Sequence, residues 1–133
     1  MRNRYDPCFL VCTDRADAAY LCSYIAKFTG GNSFKPRDNH DPRTFMEGLQ
    51  GKAKRAHAAQ LNSFEILPAF SAAVIIAHIA GGAQQGTLDA LAVAFVVSRL
   101  VYIYCYLADL ATLRSAVWFV GLVLIISFFV VAV

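Results

Sequence analysis

The sequence predicts an all-α protein, an integral membrane helix bundle, and three observations carry that prediction. Of 133 residues, 58% are hydrophobic and only 16% charged, where a soluble domain carries roughly 25% charged residues. The positive charge is segregated: of twelve Lys and Arg, only Arg99 and Arg114 lie beyond Arg55. Three apolar runs, 64–80, 88–107 and 113–133, each approach the ~20 residues that a bilayer crossing requires. The net charge of +3 is thus a basic front half on an apolar back half. That is a topology signal, and no basic helix face or aromatic-basic interleaving suggests a nucleic-acid partner.

The elements follow in order along a single domain, 1–133. The start, MRNRYDPCFLVCTDRADAAY, has no long apolar core or small-residue cleavage site, so it does not read as a signal peptide. A weak first span is expected over 13–28, interrupted by Asp14, Arg15 and Asp17. Two explanations stand open. The span is polar and degenerate, or residues 5–19 are the frame-shifted image of an apolar helix, which the nucleotide sequence would decide. Residues 29–51, TGGNSFKPRDNHDPRTFMEGLQG, are rich in Gly, Pro, Asn and Asp and read as a loop. Lys35, Arg37 and Arg43 lie in it and Lys52, Lys54 and Arg55 follow, which puts it on the cytoplasmic side.

The second span covers 56–80, its helix starting near Lys52 and ending at Gly81-Gly82; Pro68 is tolerable inside it. The short links GGAQQGTLD and ADLATLR set the next spans, 88–107 and 113–133, antiparallel to their neighbours. Alternation then places 81–87 outside, where no Lys or Arg occurs, Arg114 inside and the C-terminus outside.

Few residues carry chemistry, and they are conspicuous because lipid makes them costly. Arg55, Asn62 and Glu65 follow i, i+7, i+10 on one helix; Arg99, Tyr102 and Tyr106 follow i, i+3, i+7 on the next; Arg114-Ser115 opens the last. A charge near the middle of a span costs about 2.5–3.5 kcal/mol by insertion scales. Arg99 is therefore expected to point into the bundle and pair with an anion, Glu65 being the nearest candidate. Two readings fit these residues. One is an internal Arg99–Glu65 ion pair with the tyrosines as interfacial anchors; the other is a polar pocket for an anionic small molecule. His57 is expected to be solvated on the loop side, His78 to hydrogen-bond near the outer end, and Asp109 to cap or pair locally. Cys8, Cys12, Cys22 and Cys105 have neither CxxC spacing nor histidines at zinc-ligand distances, so no metal is predicted.

Three strings taken together are more specific. RAHAAQLNSFEILPAF at 55–70, RLVYIYCY at 99–106 and LRS at 113–115 resemble the MAPEG family, membrane-associated proteins in eicosanoid and glutathione metabolism. The likeness spans about 24–133 and is closest to an uncharacterised bacterial branch. The resemblance implies a four-helix transmembrane bundle assembled as a homotrimer, in a bacterial inner membrane, with glutathione as co-substrate between subunits near the cytoplasmic side. It implies that Asn62, Glu65, Arg99, Tyr102 and Tyr106 bind glutathione, with Arg55 on the same face. It further implies that Arg114, followed by Ser115, steadies the thiolate. The function implied is a membrane-bound glutathione-dependent transferase or peroxidase acting on lipophilic electrophiles. The alternative is a non-catalytic integral membrane protein whose polar residues only mediate helix and subunit packing.

These residue types suit that chemistry. Glutathione offers two carboxylates, an ammonium and a thiol; arginine grips carboxylate by a bidentate fork, and Glu and Asn accept from N–H groups. Ionising a thiol near neutral pH needs a pKa drop of roughly two units, about 2.7 kcal/mol. One guanidinium ~4 Å away at an effective dielectric near 20 supplies about 4 kcal/mol, so a single arginine suffices. One departure stands out: many glutathione-using members carry an arginine four residues before the Asn, and here that position is Ala58, so Arg55, on the same face about one turn earlier, is the candidate to bind glutathione in its place.

Overall fold

A computed structural model of the chain describes residues 7–29 and 33–133, with side chains from residue 18 onward. Every regular element among the described residues is helical: α1 Pro7–Phe28, a 3-10 turn Pro36–His40, α2 Pro42–Glu47, α3 Gly51–Ala80, α4 Gln85–Leu107 and α5 Ala111–Ala132. Three of them, α3, α4 and α5, are long and apolar enough to cross a membrane. α1 has 22 residues, about 33 Å at the helical rise, and is of spanning length. The side chains at 5–17, on which the frame-shifted reading turns, lie outside the described residues, as do the side chains of Arg2, Arg4, Cys8 and Cys12.

Helix boundaries follow local chemistry. α3 runs for 30 residues and ends at Gly81, whose φ of 72° gives the left-handed cap that donates its N–H to Ala77. Pro68 sits inside it without breaking it; the lost bond is tolerable where neighbouring helices enclose the backbone. The loop expected over 29–51 is more ordered than its composition suggests. Asp41 accepts hydrogen bonds from the Thr44 hydroxyl at 2.7 Å and the Thr44 N–H at 3.2 Å, and Pro42 occupies the first helical position, so α2 starts there. Asp-Pro is a helix-start signal as well as a breaker. Those same hydrogen bonds, the hydroxyl's first, hold the Asp41 carboxyl below its ordinary value of 3.8.

Packing uses small residues at one end and rings at the other. α1 lies mainly against α3, with Ala19, Cys22 and Ala26 buried on α1 and Ala53, Ala56, Ala59 and Ser63 on α3. Small side chains let backbones approach, which matters in lipid where apolar burial gains little. Leu49, with Phe45 and Met46 of α2, closes this group from the loop side. Further along, Phe70 stacks on Phe95 at 4.1 Å between centroids and meets Phe128 edge-on at 5.8 Å. Gly82 lets α5 end against the α3–α4 link, since a Cβ there would lie 2.4 Å from the Ala132 carbonyl oxygen. Outside, Ile79, Phe119, Val123 and Val130 are exposed, the surface a membrane helix presents to acyl chains.

Candidate functional site

The polar residues gather where α3, α4 and the start of α5 meet, on the side of the bundle that faces residues 29–51. Helical spacing aims them. Arg99, Tyr102 and Tyr106 share the inward face of α4, where Arg99 is 2% and Tyr102 4% exposed. Arg99 Nη2 donates to Asn62 Oδ1 at 2.7 Å, which ties α4 to α3. Asn62 Nδ2 in turn donates to Glu65 Oε2 at a longer 3.4 Å.

The Arg99–Glu65 ion pair expected from charge alone is therefore not direct. Asn62 stands between the two. A step of three residues turns a helix by about 300°, so Glu65 lies on the next face round from Asn62 and is exposed. What remains is a buried guanidinium whose hydrogen bond to α3 goes to a neutral amide. Its Nε and Nη1 have no hydrogen-bond partner among the described residues.

From Arg99 a ladder of cations and rings runs toward the helix ends. The guanidinium carbon lies 3.9 Å from the Tyr102 ring centroid, and Tyr102 meets Tyr106 edge-on at 5.2 Å. The Arg114 guanidinium closes the series 4.4 Å from Tyr106. Cations favour aromatic faces, more so when desolvated, so the tyrosines carry two positive groups toward one cleft without a carboxylate between them. That cleft, of about 260 Å³, is lined by Tyr102, Tyr106, Arg114, Ser115, Trp118 and Phe119. Ser115 Oγ currently donates back to the Ala111 carbonyl at 3.2 Å, a weak bond within its own helix.

Arg55 stands apart from this ladder. Its Nη1 lies 3.6 Å from Asp109 Oδ2 in the α4–α5 turn, so Asp109 reaches across to α3 and does not only pair locally. His57 also departs from expectation: its Nδ1 is buried with no hydrogen-bond partner among the described residues, and it lines a second cavity of about 500 Å³ between α1, α2 and α3 with Lys27, Arg43 and Gln60. No sequence spacing marks this cavity, because its walls come from three elements. His78 bonds the Val74 carbonyl at 2.8 Å. Cys22 and Cys105 are buried and free, and no group of three or more His, Cys, Asp or Glu among the described residues could hold a metal ion.

Set against known proteins, the chain matches the model of the MAPEG family over residues 18–133. No curated protein and no solved structure matches it.

Proposed function

Because the chain belongs to the MAPEG family, we propose that it is a membrane-bound glutathione-dependent transferase or peroxidase acting on lipophilic electrophiles. In this reading it works as a homotrimer in a bacterial inner membrane, with residues 29–51 cytoplasmic. The observation that carries the proposal is the Arg99 guanidinium, 2% exposed with two nitrogens unpartnered among the described residues. A buried cation with idle donors is costly, and a carboxylate is an acceptor that meets both the charge and the donors. Glutathione carries two.

Each site residue then has a chemical task. Arg99 offers its Nε and Nη1 donors, which point to different sides of the guanidinium, to the glutathione carboxylates while Asn62 keeps Nη2. Asn62 and Glu65 accept from the ammonium and peptide N–H groups. Tyr102 and Tyr106 line the path from Arg99 to the cleft. Arg114 holds the sulfur as thiolate, the nucleophilic form, and Ser115 turns its hydroxyl from Ala111 to donate to the same sulfur. Trp118 and Phe119 give the lipophilic substrate an apolar wall. In conjugation the sulfur forms a bond to an electrophilic carbon as the leaving group departs with its electron pair. In peroxide reduction two glutathione thiols become a disulfide while the O–O bond yields an alcohol and water.

The Arg99–Asn62 bond also favours a second reading, in which polar residues only join helices and subunits. Titration of detergent-purified protein with glutathione separates the two, read by heat and by near-ultraviolet thiolate absorbance. The enzyme reading expects binding and a thiolate band in the parent. In Arg114→Ala it expects the same assembly and no band. Absence of heat at millimolar glutathione leaves only the packing role.

A further inference from the structure

The turn between α4 and α5 carries more than turn formation requires. Asp109 N–H bonds the Tyr106 carbonyl at 3.3 Å and Leu110 N–H bonds the Cys105 carbonyl at 2.9 Å. These are the paired bonds of a Schellman C-cap, whose central position takes a left-handed backbone and is usually glycine. Here it is Asp109, φ 62°, the one non-glycine residue at positive φ among the described residues. A Cβ is unfavourable there, so the aspartate gives up local stability and keeps a carboxylate.

That carboxylate lies 3.6 Å from Arg55 Nη1 on α3. The pinned turn also feeds the site from both directions. Upstream, the Tyr106 carbonyl accepts the Asp109 N–H. Downstream, Arg114 N–H bonds the Leu110 carbonyl at 2.9 Å, and the Arg114 guanidinium returns over the Tyr106 ring at 4.4 Å. Tyr106 and Arg114 are therefore set from the two ends of one turn, and Asp109 is its centre.

We propose that Asp109 is a positioning residue: latched by Arg55, it fixes the first turn of α5 so that Arg114 stays over Tyr106 at the mouth of the cleft. This deepens the glutathione reading, on which its effect on thiolate formation rests, and gives Arg55 the role of latch in place of ligand partner. The latch itself has a readout independent of any ligand. Trp118, the only tryptophan in the chain, lines the same cleft as Arg114 and Tyr106.

Asp109→Gly separates latch from fold, because glycine suits the left-handed position while the carboxylate is gone. In detergent-purified protein it is expected to unfold no earlier than the parent, yet to change the emission of Trp118 and its quenching by acrylamide. Arg55→Gln and Asp109→Asn are expected to change the same signal, and Arg55→Lys, which keeps the charge, to preserve it. With glutathione bound, loss of the latch lowers the thiolate fraction by about tenfold, a modest misplacement on the scale that positioned catalytic groups show. Unchanged Trp118 quenching in both Asp109→Gly and Arg55→Gln overturns the latch, with or without a thiolate. So does an Asp109→Gly protein that unfolds well below its parent, since the ion pair is then only a stability contact. A parent that forms no thiolate, but whose Trp118 responds to these variants, keeps the latch and sinks the glutathione reading.

Discussion

The two ends of the α3–α4–α5 interface are held together by opposite means. Away from residues 29–51, Phe70, Phe95 and Phe128 interlock and are fully buried. Toward them, the same three helices meet through Asn62, Arg99, Tyr102, Tyr106 and Arg114. Rings that leave acyl chains for other rings gain mostly from close packing, since both surroundings are apolar. The polar end relies on directional bonds, and two nitrogens of its buried guanidinium have no hydrogen-bond partner among the described residues. Stability is concentrated in the first end and bonding capacity in the second, which is why a ligand is expected only in the second.

Phe70→Ala should have the largest effect on folding. Removing a fully buried ring costs about 3–5 kcal/mol, read as an earlier unfolding transition in detergent, while glutathione affinity at folded temperatures stays near that of the parent. A comparable loss of affinity would mean that the two ends do not act separately.

Asn62→Ala should be intermediate and opposite in character. It removes the hydrogen bond that ties Arg99 to α3, and an unsatisfied buried group costs about 1–3 kcal/mol. Asn62 is also a glutathione contact in the proposed reading, so the thermal shift on adding glutathione should be smaller than in the parent. A variant whose stability is unmoved would show that Arg99 does not depend on Asn62.

The smallest effect belongs outside the spans, at Asp41. Its carboxyl is held below the ordinary 3.8 by Thr44, so its contribution to α2 is present above that value and fades as pH falls through the lowered native pKa. Hydrogen exchange at Thr44 and Phe45 should quicken at the acid end, and in Asp41→Ala at neutral pH, with Phe70 and Arg99 unaffected. Global unfolding in Asp41→Ala would show that α2 is part of the core and not a satellite of it.

Much of the architecture could be read without coordinates. Hydropathy marked the long helices, Gly81 marked an end, and the spacing of Arg99, Tyr102 and Tyr106 put them on one face. The resemblance in three short strings pointed to the family. Composition misled over 29–51, where Pro and Asp suggested only a loop although Asp41-Pro42 begins a helix. Arg55 and Glu65 were harder. Spacing within α3 suggested one shared face, but the angular drift of the helix separated Glu65 from Arg99 and left Arg55 beside a different element.

By itself, the sequence determined that this chain is helical, that it belongs in a membrane, and which few polar residues lipid would force inward. Those are properties of single helices, set by side-chain transfer energies and by a period of 3.6. Only the tertiary structure decided that Asn62 intervenes between Arg99 and Glu65, that two arginines and two tyrosines form one ladder, and that Asp109 reaches Arg55. Such pairings depend on how far each helix is rotated and slid against its neighbour, which the pattern along any one of them does not encode.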